Sequence, residues 1–181
     1  MLPCIFGLSS ASGVTLPELE HLPKLTPKKF AAKFADFDYR YYREVQPAEV
    51  FLRDKVGDCD DYAVLADYIL PLRGYETRLI HVRLAGRIAH AVCYVTEDNA
   101  YLDYNNRSVF FRLTKSRPTL RAIAEKVADS LDANWTTASE FSYSYESDRK
   151  TILATVARNA PPEDDPPIGR ANSPQKSLRV D

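Results

Sequence analysis

The sequence predicts an α+β domain in which a buried central helix packs on an antiparallel sheet. Residues 59–72 carry apolar side chains on nearly all sides of a helical repeat, which is typical of a helix at the centre of a domain. After Gly74 the apolar residues recur at two-residue spacing, in short runs separated by turn residues. The chain has 181 residues, which suits one such domain with additional tails.

The part of the chain before the central helix is predicted to hold an extended lead-in and two short helices. Residues 14–26 contain two prolines and are interpreted as extended. Thr26 followed by Pro27 is typical of an N-cap and first helical position, which predicts a helix start there. A second short helix is expected over residues 46–55.

The central helix is predicted to begin at Cys59. Gly57 permits a sharp turn, Asp58 is a typical N-cap residue, and Asp61 resembles the partner residue of a capping box. Gly74 is predicted to end the helix.

The pattern after Gly74 predicts strands, then one amphipathic helix, then two further strands. The first four strands are expected over residues 77–84, 89–96, 100–104 and 108–113. The helix is expected over residues 118–131, and the last two strands near residues 141–145 and 152–156.

Three residues of the predicted helix and sheet form a chemically meaningful series. Cys59 stands at the helix start, His90 in the second strand and Asp103 at the end of the third. A thiol, an imidazole and a carboxylate can serve as nucleophile, general base and the group that orients the base. The N-terminus of a helix favours a thiolate, and the backbone amide of Cys59 could hold an oxyanion.

Four segments of the chain resemble the transglutaminase-like superfamily of papain-fold cysteine enzymes. They are residues 57–63 (GDCDDYA), 73–78 (RGYETR), 90–92 (HAV) and 102–103 (LD). The acidic form of the first segment is most similar to the bacterial transglutaminase-like cysteine proteinases. The resemblance covers roughly residues 47–113 and implies a papain-like fold. Within it His81, which lacks the following Ala-Val, is the weaker candidate for the base.

The resemblance implies a cysteine hydrolase that acts on amide bonds of a protein or peptide through Cys59, His90 and Asp103. Two alternatives stay open. The same three residues could transfer the acyl group of a glutamine to an amine or deamidate it, and the fold could serve as a binding module without turnover.

The acidic residues around Cys59 raise a second expectation. Nearby negative charge disfavours a thiolate, so we expect a partner that neutralises the carboxylates of Asp58, Asp60 and Asp61. In the proteinases that the chain resembles, acids flanking the nucleophile help to bind calcium, which carries over to Asp58 and Asp60. The alternative is that these acids cap the helix and meet solvent. No other cofactor is expected.

Composition limits the partners and the domain boundaries. With 24 basic and 25 acidic side chains, the net charge of −1 gives no reason to expect nucleic acid as a partner. No stretch reaches the length of a membrane span, and the three cysteines lack zinc-site spacing. We expect a domain over residues 14–157 and a disordered tail over 158–181. Residues 1–13 are either the remnant of a signal peptide, which favours a periplasmic or secreted protein, or an apolar tail of a cytoplasmic one.

Overall fold

The structure, a computed structural model, describes residues 14–107 and 113–161. Within these ranges the chain forms five α-helices and a six-stranded antiparallel sheet, so the predicted α+β class is confirmed. The helices are α1 (Leu16–His21), α2 (Pro27–Ala32), α3 (Ala48–Asp54), α4 (Cys59–Ile69) and α5 (Leu120–Ser130). The strands are β1 (Asp38–Tyr39), β2 (Val56–Gly57), β3 (Thr77–Leu84), β4 (His90–Val95), β5 (Ala100–Leu102), β6 (Leu113–Lys115), β7 (Trp135–Ser144) and β8 (Arg149–Ala157).

The large sheet has the strand order β6-β5-β4-β3-β7-β8, and every neighbouring pair in it is antiparallel. Its two central strands follow each other in the sequence, with Ile80 opposite Val92. The short strands β1 and β2 pair in parallel outside this sheet, with Tyr39 opposite Gly57.

Helices cover both faces of the sheet, which explains why its central strands are apolar on both sides. Leu79 of β3 packs into a core that includes α4, whereas its neighbour Ile80 packs into a second core that includes α5. Strand β4 is buried along its whole length. A sheet that is covered on both faces loses the alternation of polar and apolar residues, as the sequence of β4 shows.

Helix α4 begins where the sequence predicts and ends slightly earlier. Asp58 is its N-cap and Asp61 completes the capping box. The α-helix stops at Ile69 because Pro71 cannot donate a backbone hydrogen bond, and the chain continues as a 3₁₀ turn over Leu70–Arg73. Gly74 follows in the left-handed region with φ 82°, a conformation that glycine adopts without strain.

The interpretation of residues 14–26 as extended is wrong, since Leu16–His21 forms α1. Thr15 caps this helix: its hydroxyl accepts a hydrogen bond from the Glu18 amide, and Glu18 Oε2 accepts one from the Thr15 amide at 2.8 Å. Pro17 lies in the first turn, where the missing N–H has no partner to lose. The Thr-x-x-Glu pattern was therefore the local signal for a helix.

The third predicted strand is also shorter than expected. Strand β5 ends at Leu102, and residues 104–106 form a 3₁₀ turn that Asp103 caps by accepting a hydrogen bond from the Asn105 amide. The predicted fourth strand over residues 108–113 falls largely outside the described residues, and β6 occupies Leu113–Lys115.

The predicted signal-peptide remnant at residues 1–13 and most of the predicted tail at 158–181 lie outside the described residues. Residues 158–161 belong to the described part, where Arg158 donates to the carbonyl of Thr136 and to Asn134 Oδ1. The boundaries of the predicted domain stay predictions. None of the helices in residues 14–107 and 113–161 combines the length and the apolar character that crossing a membrane requires.

Candidate active site

Cys59 is the first residue of α4 and is nearly buried, with 7% of its surface exposed. The amides of the first helical turn have no acceptor within the helix and carry partial positive charge, which favours an anion at this position. Cys93, the other free thiol in the described part of the chain, is fully buried, and this burial raises its pKa well above the ordinary value. The structure therefore supports Cys59 and not Cys93 as the nucleophile candidate.

The segment from β1 to α3 holds the start of α4 in place through backbone amides. Arg40 donates to the carbonyl of Gly57 at 2.9 Å, and the Tyr42 amide donates to Asp58 Oδ2 at 2.8 Å. The Gln46 amide donates to Asp61 Oδ1 at 2.7 Å. These bonds connect parts of the chain about sixteen residues apart, so they fix the orientation of the first turn of α4, which carries Cys59.

The buried acids beside Cys59 act as caps. Asp58 also accepts from the Asp60 amide at 3.0 Å, and Asp61 Oδ2 accepts from the Gln46 side chain at 2.7 Å and from the Asp58 amide at 3.0 Å. Burial, together with the negative charges of Asp61 and Asp60, raises the pKa of Asp58 to about 6, although the hydrogen bond from the Tyr42 amide opposes this rise. Burial also raises the pKa of Asp61.

His90 and Asp103 form a buried pair. His90 Nε2 lies 2.9 Å from Asp103 Oδ1, and the two side chains are 8% and 1% exposed. Asp103 Oδ1 also accepts a hydrogen bond from the Asn105 amide at 2.9 Å, which fixes the carboxylate. With Nε2 engaged by Asp103, Nδ1 is the ring nitrogen that remains for a second partner.

The protonation of His90 connects it to Cys59. Burial alone would lower the pKa of His90, but the charge and hydrogen bond of Asp103, together with a hydrogen bond and the charge of Cys59, raise it to about 10. His90 is therefore an imidazolium at neutral pH, placed between a carboxylate and the sulfur. An imidazolium beside a cysteine favours the reactive thiolate form of the sulfur.

His81, the competing base, has a different environment. Its ring packs edge-on against Phe141, with centroids 6.2 Å apart. Burial, and after it the positive charge of Lys150, lowers the pKa of His81 to about 4. His81 is thus neutral at pH 7 and lacks a carboxylate partner like that of His90 within the described residues.

Two residues near the sulfur had not been identified in the sequence. Tyr39 lies opposite Gly57, and Gly57 is two positions before Cys59 in the sequence. Burial raises the pKa of Tyr39, and the charge of Cys59 is the second cause of this rise. The Lys150 ammonium lies 3.9 Å from the centre of the Phe141 ring; desolvation lowers its pKa, and the charges of Asp60 and Cys59 oppose that shift. Only the register of β1 and the β7–β8 hairpin brings them here, so no local pattern could have identified them.

A surface cavity of about 390 Å³ opens beside His90. Its walls include Tyr39, Ile88 and Asn105, and both Tyr39 and Ile88 are more than half exposed. An apolar, accessible wall next to the imidazole could receive a substrate side chain.

The calcium hypothesis for Asp58 and Asp60 stays a prediction. Both oxygens of Asp58 already accept backbone hydrogen bonds, which fits the capping role better than a ligand role. Asp60 Oδ1 is buried and has no hydrogen-bond partner within the described residues. In residues 14–107 and 113–161, no group of three or more His, Cys, Asp or Glu side chains is arranged to hold a metal ion.

The chain was also compared with known proteins. No family model matches it, and no curated protein matches it.

Proposed function

We propose that this protein is a cysteine hydrolase with a papain-like arrangement, acting on amide bonds of a protein or peptide. The observation that carries the proposal is the buried His90–Asp103 pair beside a cysteine at the first position of a capped helix. Each residue alone has an ordinary structural explanation. Their combination, with His90 protonated, matches the requirement for an activated thiolate.

In the proposed reaction the Cys59 thiolate attacks the carbonyl carbon of the substrate amide. The oxyanion that forms accepts a hydrogen bond from the backbone amide of Cys59. The His90 imidazolium gives its proton to the departing amine, the C–N bond breaks, and a thioester remains. A water molecule then loses a proton to His90 and attacks the thioester, which releases the carboxylic acid and restores the thiolate.

Asp103 supports this cycle without touching the substrate. Its Oδ1 holds Nε2 of His90, so Nδ1 is the nitrogen that exchanges the proton with sulfur and amine. Its negative charge stabilises the imidazolium that both halves of the cycle require.

Alkylation kinetics test the thiolate. Iodoacetamide labelling, followed by mass spectrometry, should modify Cys59 at pH 6 much faster than Cys4 or Cys93. His90→Gln should move the labelling of Cys59 to the alkaline range of an ordinary thiol, near pH 8.5. A Cys59 rate that rises only above pH 8 in the unmodified protein contradicts the proposed ion pair.

Turnover is tested with a library of peptides cut from a bacterial proteome. New termini should appear with the unmodified protein and disappear with Cys59→Ala. A parallel assay offers a fluorescent primary amine: its incorporation at glutamine would assign acyl transfer in place of hydrolysis. Cleavage that persists in Cys59→Ala refutes the proposal, and intact ion-pair kinetics without either product favours the binding-module alternative.

A further inference from the structure

A cavity of about 430 Å³ lies outside the candidate active site, between α1, α3, α4 and the β7–β8 hairpin. Its walls include three tyrosines, Tyr68, Tyr143 and Tyr145, and two carboxylates, Glu49 and Asp148. We call it the tyrosine cavity. Nothing in the proposed reaction uses it.

The three rings form one continuous aromatic wall. Tyr145 stands edge-on to Tyr68, with centroids 5.8 Å apart, and edge-on to Tyr143 at 5.3 Å. Tyr68 is 43% exposed, an unusual position for a large ring on an otherwise buried helix. Aromatic faces that are open to solvent attract cations through the negative charge of their π-systems.

Negative charge surrounds this wall. The Tyr68 hydroxyl donates to Glu20 at 2.8 Å, and the Tyr143 hydroxyl donates to Asp148 at 2.5 Å. Burial raises the pKa of Tyr145 far above its ordinary value, and the negative charges of Asp61 and Glu49 raise it further. Among the ion pairs of the described residues, none neutralises Glu20, Glu49 or Asp148.

Strand β7, which carries Tyr143, already holds a cation on another of its aromatic rings, that of Phe141. Lys150 of β8 places its ammonium 3.9 Å from the centre of Phe141, two residues before Tyr143 in β7. That lysine is held over Phe141 and does not line the tyrosine cavity. The hairpin thus shows the type of contact that the cavity offers to a second cation.

We propose that the tyrosine cavity binds the positively charged side chain of a lysine or arginine from a partner peptide or protein. The aliphatic part of such a side chain would pack on Leu16 and Val45, and its charged end would meet the tyrosine faces and the carboxylates of Glu49 and Asp148. An anionic side chain would be repelled by Glu49 and Asp148, and a neutral one would leave their charges uncompensated. The proposal does not depend on the hydrolase activity proposed for Cys59.

The test uses the full chain with its tyrosine rings ¹³C-labelled and follows their NMR signals during titration. The probes are the acetylated amides of lysine, arginine and norleucine, where norleucine keeps the apolar stem of lysine without its charge. Lysine and arginine amides should shift the signals of Tyr68 and Tyr145 to saturation, whereas norleucine amide should not. The titration repeated with Cys59→Ala should give the same result, which separates this proposal from the proposed reaction.

Two variants and two matched controls locate the site. Glu49→Gln and Tyr68→Leu should each weaken binding about 3- to 10-fold. Glu125→Gln removes an exposed charge on α5, and Tyr41→Leu removes an exposed ring outside the cavity, so both should bind as the unmodified protein does. Melting curves confirm that each variant is folded.

Three outcomes would overturn the proposal. Equal binding of norleucine and lysine amides would make the cavity an apolar pocket and overturn the proposal. The same loss of affinity in Glu125→Gln as in Glu49→Gln would reveal nonspecific attraction to the acidic surface and overturn it too. Absence of saturation with both cationic probes has the same consequence.

Discussion

Replacing Asp103 by Asn tests whether the carboxylate keeps His90 charged. The substitution preserves the size of the side chain and an oxygen for the Asn105 amide, but removes the negative charge 2.9 Å from His90 Nε2. A rise in the pKa of His90 from 6.5 to about 10 corresponds to on the order of 5 kcal/mol of stability at low pH. Part of this rise comes from Cys59, so we expect the variant to lose about 3 kcal/mol at pH 6.

The direction of the pH dependence follows from the sign of the shift. The pKa of His90 is raised in the folded state, so its contribution is fully present below about pH 6.5 and is lost as the pH rises towards 10. The gap in unfolding free energy between the unmodified protein and Asp103→Asn should therefore narrow by about 1.5 kcal/mol between pH 6 and pH 9, because a group with a pKa of about 10 keeps part of its contribution at pH 9. Asp103 Oδ2 is buried without a partner in the described residues, so the new amide group adds a cost that does not vary with pH.

Urea denaturation from pH 6 to pH 9 measures the gap, and NMR titration of the three histidine rings measures the pKa of His90 directly. Asp129→Asn, which removes an exposed carboxylate on α5, is the control and should give a small gap that is constant with pH. A His90 ring that titrates near 6.5 in the unmodified protein would refute the reasoning. So would a loss of stability in Asp103→Asn that is equal at both ends of the pH range.

Three further changes test the support around Cys59 and the end of the domain. Gly57→Ala should cost about 1–3 kcal/mol in urea denaturation, because the new methyl would lie 2.5 Å from the buried Phe51 ring; a cost near zero would contradict this packing. Asp61→Asn should cost about 1–3 kcal/mol, since one amide group would face hydrogen-bond donors; unchanged stability would mean that the caps at α4 are dispensable. Truncation after Ala157 should lower the melting temperature because Arg121 loses the carbonyls of the following residues, whereas truncation four residues later should not; equal melting curves would contradict this boundary.

The regular part of the fold could be predicted because its signals are local. The strand over residues 77–84 matches β3 at both ends, since the two-residue period and the flanking turn residues determine it. The start of α4 was predicted at Cys59 because the capping box that marks it spans only four consecutive residues. The same logic failed at α1 only because two prolines outweighed an equally clear capping box at Thr15.

The surroundings of the site could not be predicted because tertiary pairing creates them. The parallel pairing of β1 with β2 brings Tyr39 to Cys59, and the sequence of β1 is too short to indicate a strand. Lys150 reaches the site through the β7–β8 hairpin, more than ninety residues later in the chain. Phe141, Tyr143 and Tyr145 alternate with polar residues, which predicts a strand but not the helices that line the tyrosine cavity with Tyr143 and Tyr145.

The acidic residues next to Cys59 illustrate why charge in a sequence has no fixed meaning. Three carboxylates beside a thiol should oppose a thiolate. In the structure, however, Asp58 and Asp61 accept hydrogen bonds from backbone amides, and these bonds orient the helix. Burial raises the pKa of both, and that of Asp58 to about 6, so the negative charge of Asp58 decreases as the pH falls towards 6. The protonated His90 then lies as a full positive charge beside the sulfur. In the proposed reaction an imidazolium from a distant strand favours the thiolate, while the neighbouring acids orient the helix that carries Cys59.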